Sequence, residues 1–155
     1  MSSSDNAAMT SVKQESKEKA REKPRDKPRD KPKMRAPRVN AETQEFWDAT
    51  AEGKLLVKKC NACGENHFYP RTFCPFCFSD DTEYLQCSGR GAIYSYSVTR
   101  RGEPYAIAYV TLEEGPTMLT NLIDCDFDGL SIGQQVAVNF VDTGEGTAVP
   151  FFTPV

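Results

Sequence analysis

The 155 residues carry 19 Lys+Arg against 22 Asp+Glu, with 39% apolar residues. Such a chain suits a small soluble protein of one or two compact units and leaves no room for a large catalytic domain. The longest stretch without a charge, Gly129 to Val141, is 13 residues, short of the roughly 18 to 20 that a membrane-spanning helix needs. The opening Met1-Ser-Ser-Ser-Asp-Asn6 lacks an apolar core and a cleavage site, so a cytoplasmic protein is expected, and in a reducing compartment six cysteines point to metal before disulfides.

The charge is unevenly placed: residues 1 to 40 hold 12 Lys+Arg and 6 Asp+Glu, a net of +6, and the remainder holds 7 and 16, a net of −9. Within the first part runs the near-repeat Lys23-Pro-Arg-Asp, Lys27-Pro-Arg-Asp, Lys31-Pro-Lys, where each Pro removes a backbone donor and biases its predecessor toward extended geometry. With so little apolar area to bury, residues 1 to 39 are expected to form a disordered basic arm. It is read as a solubilising tail, or as an arm that follows an acidic partner or nucleic acid. The interleaved Glu15, Glu18, Glu22, Asp26 and Asp30 dilute the field that phosphate binding relies on.

Residues 40 to 53 read as an N-terminal helix over Ala41 to Glu52, capped by Asn40 and stopped by Gly53. Thr43, Phe46, Trp47 and Thr50 share one side at helical spacing. Phe46 and Trp47 either pack on this chain or anchor a partner, a role in which Trp is enriched.

Residues 54 to 87 hold Cys60-Asn-Ala-Cys63-Gly64 and Cys74-Pro-Phe-Cys77-Phe78. Two Cys separated by two residues let both thiolates converge on one ion from a tight turn, and two such turns complete a tetrahedral S4 site. Cys60, Cys63, Cys74 and Cys77 are therefore the expected ligands of one structural Zn2+, with iron as the alternative that the same sulfur set admits. Such binding contributes roughly 10 to 16 kcal/mol, enough to fold a unit too small to build its own core. Phe68, Tyr69, Phe73, Phe76 and Phe78 are expected to wall the site from solvent. Phe78 stands where the first turn has Gly64. Cys87 and Cys125 are read as small buried apolar residues.

From residue 88 to 155, turn signals bracket five strand-like runs: Ala92 to Thr99, Tyr105 to Leu112, Thr117 to Asp124, Gln135 to Val141 and Ala148 to Thr153. Five short strands fit an OB-fold barrel, whereas an immunoglobulin-type sandwich needs about seven. The expected fold class is mainly β: a helix, a rubredoxin-like zinc ribbon, then a five-stranded OB-fold barrel. Tyr94, Tyr96, Tyr105 and Tyr109 resemble stacking platforms for nucleic acid, yet only Arg90, Arg100 and Arg101 are cationic beyond residue 88, and the surrounding carboxylates repel phosphate. His67, the single His, lies inside the metal hairpin, apart from Cys87 and Cys125, and no glycine-rich phosphate loop occurs. Glu113-Glu114 and the alternating Asp124, Asp126 and Asp128 read as solvated turn residues. The chain alone is expected to be non-catalytic.

The Phe46-Trp47 helix, Cys60-x-x-Cys63-Gly, Tyr69-Pro-Arg71, Cys74-Pro-x-Cys77, Ser88-Gly-Arg-Gly91, Ile93-Tyr-Ser95, Val110-x-Leu112-x-Glu-Gly115 and Ile132-Gly133 together resemble one family. It is that of the small rubredoxin-like zinc-ribbon plus OB-fold proteins encoded beside thiolases, and the match runs over about residues 41 to 150. The resemblance implies an accessory subunit that assembles with a thiolase-like or hydroxymethylglutaryl-CoA-synthase-like partner. That partner supplies the catalytic Cys and His, while the small subunit supports assembly, acyl-CoA binding or channelling. A narrower form of the same resemblance is the small subunit of a thiolase for aromatic acyl-CoA such as benzoylsuccinyl-CoA. Phe46, Trp47, Arg71, Arg90, Arg100 and Arg101 are the expected partner or CoA contacts. A nucleic-acid-binding zinc-ribbon/OB module and a rubredoxin-like electron carrier are the alternatives.

Overall fold

The structure is a computed structural model that describes residues 35–155; the basic arm falls outside the described residues up to residue 34. Helix α1 spans Gln44–Ala51, three residues shorter at its start than the sequence suggests. The reason is local: the Asn40 side chain accepts from the Thr43 N–H at 3.0 Å and the Thr43 hydroxyl at 2.9 Å. Asn40 thus closes the turn before the helix, and Thr43 takes the N-cap position. The side shared by Thr43, Phe46, Trp47 and Thr50 packs inward, and all four are buried. Gly53 ends the helix region at φ 75°, where a glycine carries no steric cost.

A three-stranded antiparallel sheet follows, with β1 (Leu56–Cys60) in the centre, flanked by β2 (Asn66–His67) and β3 (Thr82–Gln86). The register from Leu56 opposite Gln86 to Cys60 opposite Thr82 delivers the first cysteine to the sheet end where the second cysteine turn returns.

The remaining strands are β4 (Arg90–Thr99), β5 (Tyr105–Leu112), β6 (Thr117–Leu122), β7 (Gln135–Asp142) and β8 (Ala148–Pro154). They close into a barrel in the order β4-β5-β6-β8-β7, with β7 pairing back onto β4. The first three strands form a meander, and β8 inserts between β7 and β6, running parallel to β6 at Leu122 and Phe152. This is the five-stranded OB arrangement. Strict alternation in β5 sends Ala106, Ala108, Val110 and Leu112 inward and Tyr105, Ile107 and Tyr109 outward. Gly91 lets β4 and β5 approach closely, because a Cβ there would lie 2.5 Å from the Thr111 carbonyl oxygen.

One apolar core joins these parts: Phe46 and Trp47 from α1 and Leu55, Leu56 and Val57 around β1 cluster with Ile93, Val110, Leu122 and Phe152 of the barrel. Polar links reinforce the junction. Asn66 donates from Nδ2 to the Glu114 carbonyl at 2.9 Å, and the Ser88 N–H donates to Glu114 Oε1 at 2.6 Å. Ser88 Oγ also donates to Glu113 Oε2 at 2.8 Å. The Glu113-Glu114 turn is therefore a clasp between ribbon and barrel, a correction to its reading as merely solvated. Burial opposes the Glu114 charge, but donors led by the Ser88 N–H hold its carboxyl below the usual range. Among the described residues no helix is long and apolar enough to cross a membrane.

Candidate metal centre and its surroundings

The two cysteine turns are built alike. In the first, the Cys60 N–H donates to the Glu65 carbonyl at 2.9 Å and the Gly64 N–H to the Cys60 carbonyl at 2.9 Å. In the second, the Cys74 N–H donates to the Ser79 carbonyl and the Phe78 N–H to the Cys74 carbonyl, again at 2.9 Å. Each turn aims both of its thiols at the other turn. The Asn61 N–H joins them through the Asp81 carbonyl at 2.9 Å.

The four Sγ atoms lie within 4.8 Å of one another. Cys60 and Cys77 approach to 3.5 Å and Cys63 and Cys74 to 3.7 Å, close to the edge of about 3.8 Å that a tetrahedron with 2.3 Å metal–sulfur arms requires. These separations are far beyond a disulfide bond of about 2.05 Å. The donor set fits one thiophilic ion held by Cys60, Cys63, Cys74 and Cys77. Burial pushes the Cys74 thiol up, but the N–H groups of Phe76 and Cys77 and the neighbouring thiols outweigh it and bring it down to about 7. The Glu65 N–H favours the Cys63 thiolate, yet burial and the other thiols prevail and push it up to about 12. Packed thiols separate in this way when one takes up negative charge first. A bound cation removes the conflict by accepting all four as thiolates.

The expectation that aromatic rings wall the centre from solvent is corrected for all of them but Phe68. Phe68 packs on the core, but Tyr69, whose hydroxyl accepts the Trp47 Nε1–H at 2.9 Å, is exposed together with Phe73, Phe76 and Phe78, as are Cys63 and Cys77. A tight turn that converges its thiols on one point sends Phe76 between them and Phe73 and Phe78 on either side outward.

The other expected contacts are scattered. Phe46 is completely buried and Trp47 is 8% exposed, so both rings pack within this chain, the first of the two readings offered for them. Arg71 lines two cavities at the ribbon, one shared with Tyr69, Phe73 and Phe78, the other with Lys58 and Tyr84. Arg90 is exposed at the start of β4, and Arg100 and Arg101 are exposed beyond its other end, with the ten-residue strand between them. Arg100 pairs with Asp128. No single basic patch gathers them.

Cys87 is buried, and desolvation followed by the Glu114 charge pushes its thiol up to about 12. His67 is 3% exposed and neither ring nitrogen finds a hydrogen-bond partner among the described residues. No cysteine–histidine hydrogen bond is therefore formed. Burial, followed by the nearby Lys58 charge, depresses the His67 pKa below its ordinary value. A depressed folded pKa stabilises the protein above the unfolded value of about 6.5 and loses that stabilisation as pH falls through the folded value. Replacing His67 by Phe removes a buried group that binds its proton less readily in the folded than in the unfolded state. The variant is expected to show a flatter decline in stability between pH 7 and 5 in chemical denaturation. A variant with the wild-type pH profile would show that the imidazole does not contribute to that decline.

Comparison with known proteins follows the same division. Residues 47–83 match the family described as ChsH2, rubredoxin-like zinc ribbon domain, and residues 84–141 match ChsH2, C-terminal OB-fold domain. A "Probable enoyl-CoA hydratase alpha subunit" of Thermomonospora curvata is 30% identical over 124 residues, 76% of this chain, and the chain spans only 39% of that relative's length. A DUF35 domain-containing scaffold protein of Methanothermobacter thermautotrophicus is 41% identical over 94 residues, 56% of this chain and 71% of that protein. The benzoylsuccinyl-CoA thiolase subunit BbsA of Thauera aromatica is 28% identical over 96 residues, 57% of this chain and 67% of that subunit. Among solved structures, the Ltp2-ChsH2(DUF35) aldolase superposes with a TM-score of 0.70 at 29% identity, covering 77% of this chain and 98% of that one. Ribbon, barrel and sequence agree, and the chain belongs to the ChsH2/DUF35 family.

Proposed function

We propose that this chain is a non-catalytic accessory subunit of a thiolase-type acyl-CoA enzyme, supporting assembly and acyl-CoA binding or channelling while its partner supplies the catalytic Cys and His. The observation that carries the reading is the placement of its own reactive groups. Four sulfurs close on one another, Cys87 is buried beside Glu114, and His67 touches neither with a hydrogen bond. A saturated sulfur site leaves no coordination position for substrate, so its ion, Zn2+ in this reading, fastens the fold. The Thauera aromatica relative, named as a thiolase subunit, supports a thiolase as the partner, with a hydroxymethylglutaryl-CoA-synthase-like enzyme resting on the family resemblance alone.

The relatives named for hydratase and aldolase enzymes favour a second reading, in which the same scaffold serves a partner that hydrates or cleaves an acyl-CoA. Affinity capture of the full chain from its source cell, with identification of the companion and assays of the pair and of each part, separates the two. Thiolysis by the pair alone is the expected result. Hydration or retro-aldol cleavage by the pair selects the second reading, and turnover by this chain alone, or the absence of any acyl-CoA enzyme, overturns both. Elemental analysis is expected to give one zinc per colourless chain; a coloured, iron-loaded protein would favour electron transfer instead.

A further inference from the structure

The second cysteine turn departs from the first at one backbone position. Gly64 adopts φ 79° and Phe78 adopts φ 63°, a left-handed conformation that costs a residue with a side chain roughly 1 to 2 kcal/mol. Burial of the ring does not offset that strain, because Phe78 is 79% exposed. Phe73 and Phe76 are 58% and 61% exposed, so three phenylalanines stand in solvent within six consecutive residues. Phe73 and Phe78 edge a cavity of about 530 Å3 together with Tyr69, Pro70 and Pro75. Its two charged groups are Glu42, whose carboxylate accepts the Thr72 N–H, and Arg71. Arg71 forms no ion pair among the described residues.

Three rings that bury 150 to 250 Å2 each when covered, here more than half exposed, offer on the order of 400 Å2. That is as large as the biggest apolar patch on a typical monomer. It is about half of the roughly 800 Å2 that each side of a stable interface contributes, so it suits the anchoring centre of a larger contact better than a dimer of this chain. Strain retained in an exposed, rigidly held aromatic points to a contact outside the chain.

Resting on the accessory-subunit reading, we infer that the knuckle of Phe73, Phe76 and Phe78 is where the acyl-CoA enzyme docks, through a partner segment that presents an apolar side chain to the cavity and a carboxylate to Arg71. The ion holds this knuckle stiff, so the rings are presented with little ordering cost.

The test is Phe78→Gly in the full chain, with Ile132→Ser in the exposed turn before β7 as control and metal content measured in each. Glycine suits φ 63°, so the free variant is expected to melt about 3 °C higher with its metal retained, while its Kd for the captured acyl-CoA enzyme rises at least tenfold. Ile132→Ser leaves that Kd unchanged, and Arg71→Gln weakens binding and flattens its salt dependence. An acyl-CoA enzyme held by Phe78→Gly with unchanged Kd overturns the docking face alone. A companion of another class that Phe78→Gly releases overturns the acyl-CoA assignment and leaves the face standing. Loss of metal or a lower melting point in Phe78→Gly shows that the ring serves this chain's own fold. Self-association that Phe78→Gly abolishes makes a second copy the occupant, and either outcome overturns the inference.

Discussion

Replacing Cys74 by Ser is expected to release the metal and unfold the ribbon. Cys74 is the ligand to lose because it is fully buried, its sulfur accepts the Phe76 N–H at 3.4 Å, and it faces Cys63 at 3.7 Å. A serine hydroxyl is a poor ligand at neutral pH, and three thiolates hold the ion far less firmly than four. Zinc binding to such turns is worth about 10 to 16 kcal/mol, as large as the 5 to 15 kcal/mol by which a whole small protein exceeds its unfolded state. The damage does not stop at the ribbon, because Leu55, Leu56 and Val57 share one core with Val110 and Phe152. Metal analysis and circular dichroism of the variant, and of the wild type titrated with a chelator, measure this. The expected outcome is a metal content well below that of the wild type, together with loss of the cooperative melting transition. A metal-free protein with the native melting point would remove the structural role assigned to the four cysteines. Affinity should also fall with falling pH, since protons compete for the same sulfurs.

How far the sequence discloses this molecule depends on whether the deciding signal is local. Cysteine spacing is local, and the four sulfurs converge as it implies. Strand alternation is local too: Ala106, Ala108 and Val110 lie inside and Tyr105, Ile107 and Tyr109 outside. The five strands fall within two residues of the runs bounded by Gly and Pro turns. What the sequence conceals is decided between distant segments or by the direction of a turn. Phe46 and Trp47 announce an apolar helix face, but a helix face does not say what covers it, and here β1, β7 and β8 do. Strand β3 carries no alternating apolar pattern in Thr82–Gln86, and its place is set by pairing with β1. Glu114 looks like any turn glutamate until the barrel's β5–β6 turn is brought against Ser88 and Asn66. Phe73, Phe76 and Phe78 adjoin the cysteines in sequence, yet the turns that face the thiols inward face these rings out. Proximity along the chain therefore identifies the site's members without giving their direction.

Replacing Phe46 by Ala separates a core role from a partner role at the helix. The ring is completely buried. It sits edge-on to Trp47 at 4.9 Å, Phe68 at 5.7 Å and Tyr69 at 5.8 Å between ring centres, and edge-on pairs of this kind add about 0.5 to 1.5 kcal/mol beyond burial. Truncation to Ala leaves a cavity lined by aromatic rings too rigid to collapse into it, so the loss should reach about 3 to 5 kcal/mol. Trp47 supplies the comparison: Trp47→Phe keeps most of the packing and leaves the Tyr69 hydroxyl without the Nε1–H donor, a change worth about 1 kcal/mol. Chemical denaturation of the metal-loaded proteins, free of any companion, ranks the two variants. If Phe46 anchored a partner, Phe46→Ala would leave the free chain as stable as wild type and weaken only the complex. The burial of the ring requires the reverse order: the free chain loses most of its margin first, and binding suffers only as the fraction folded falls.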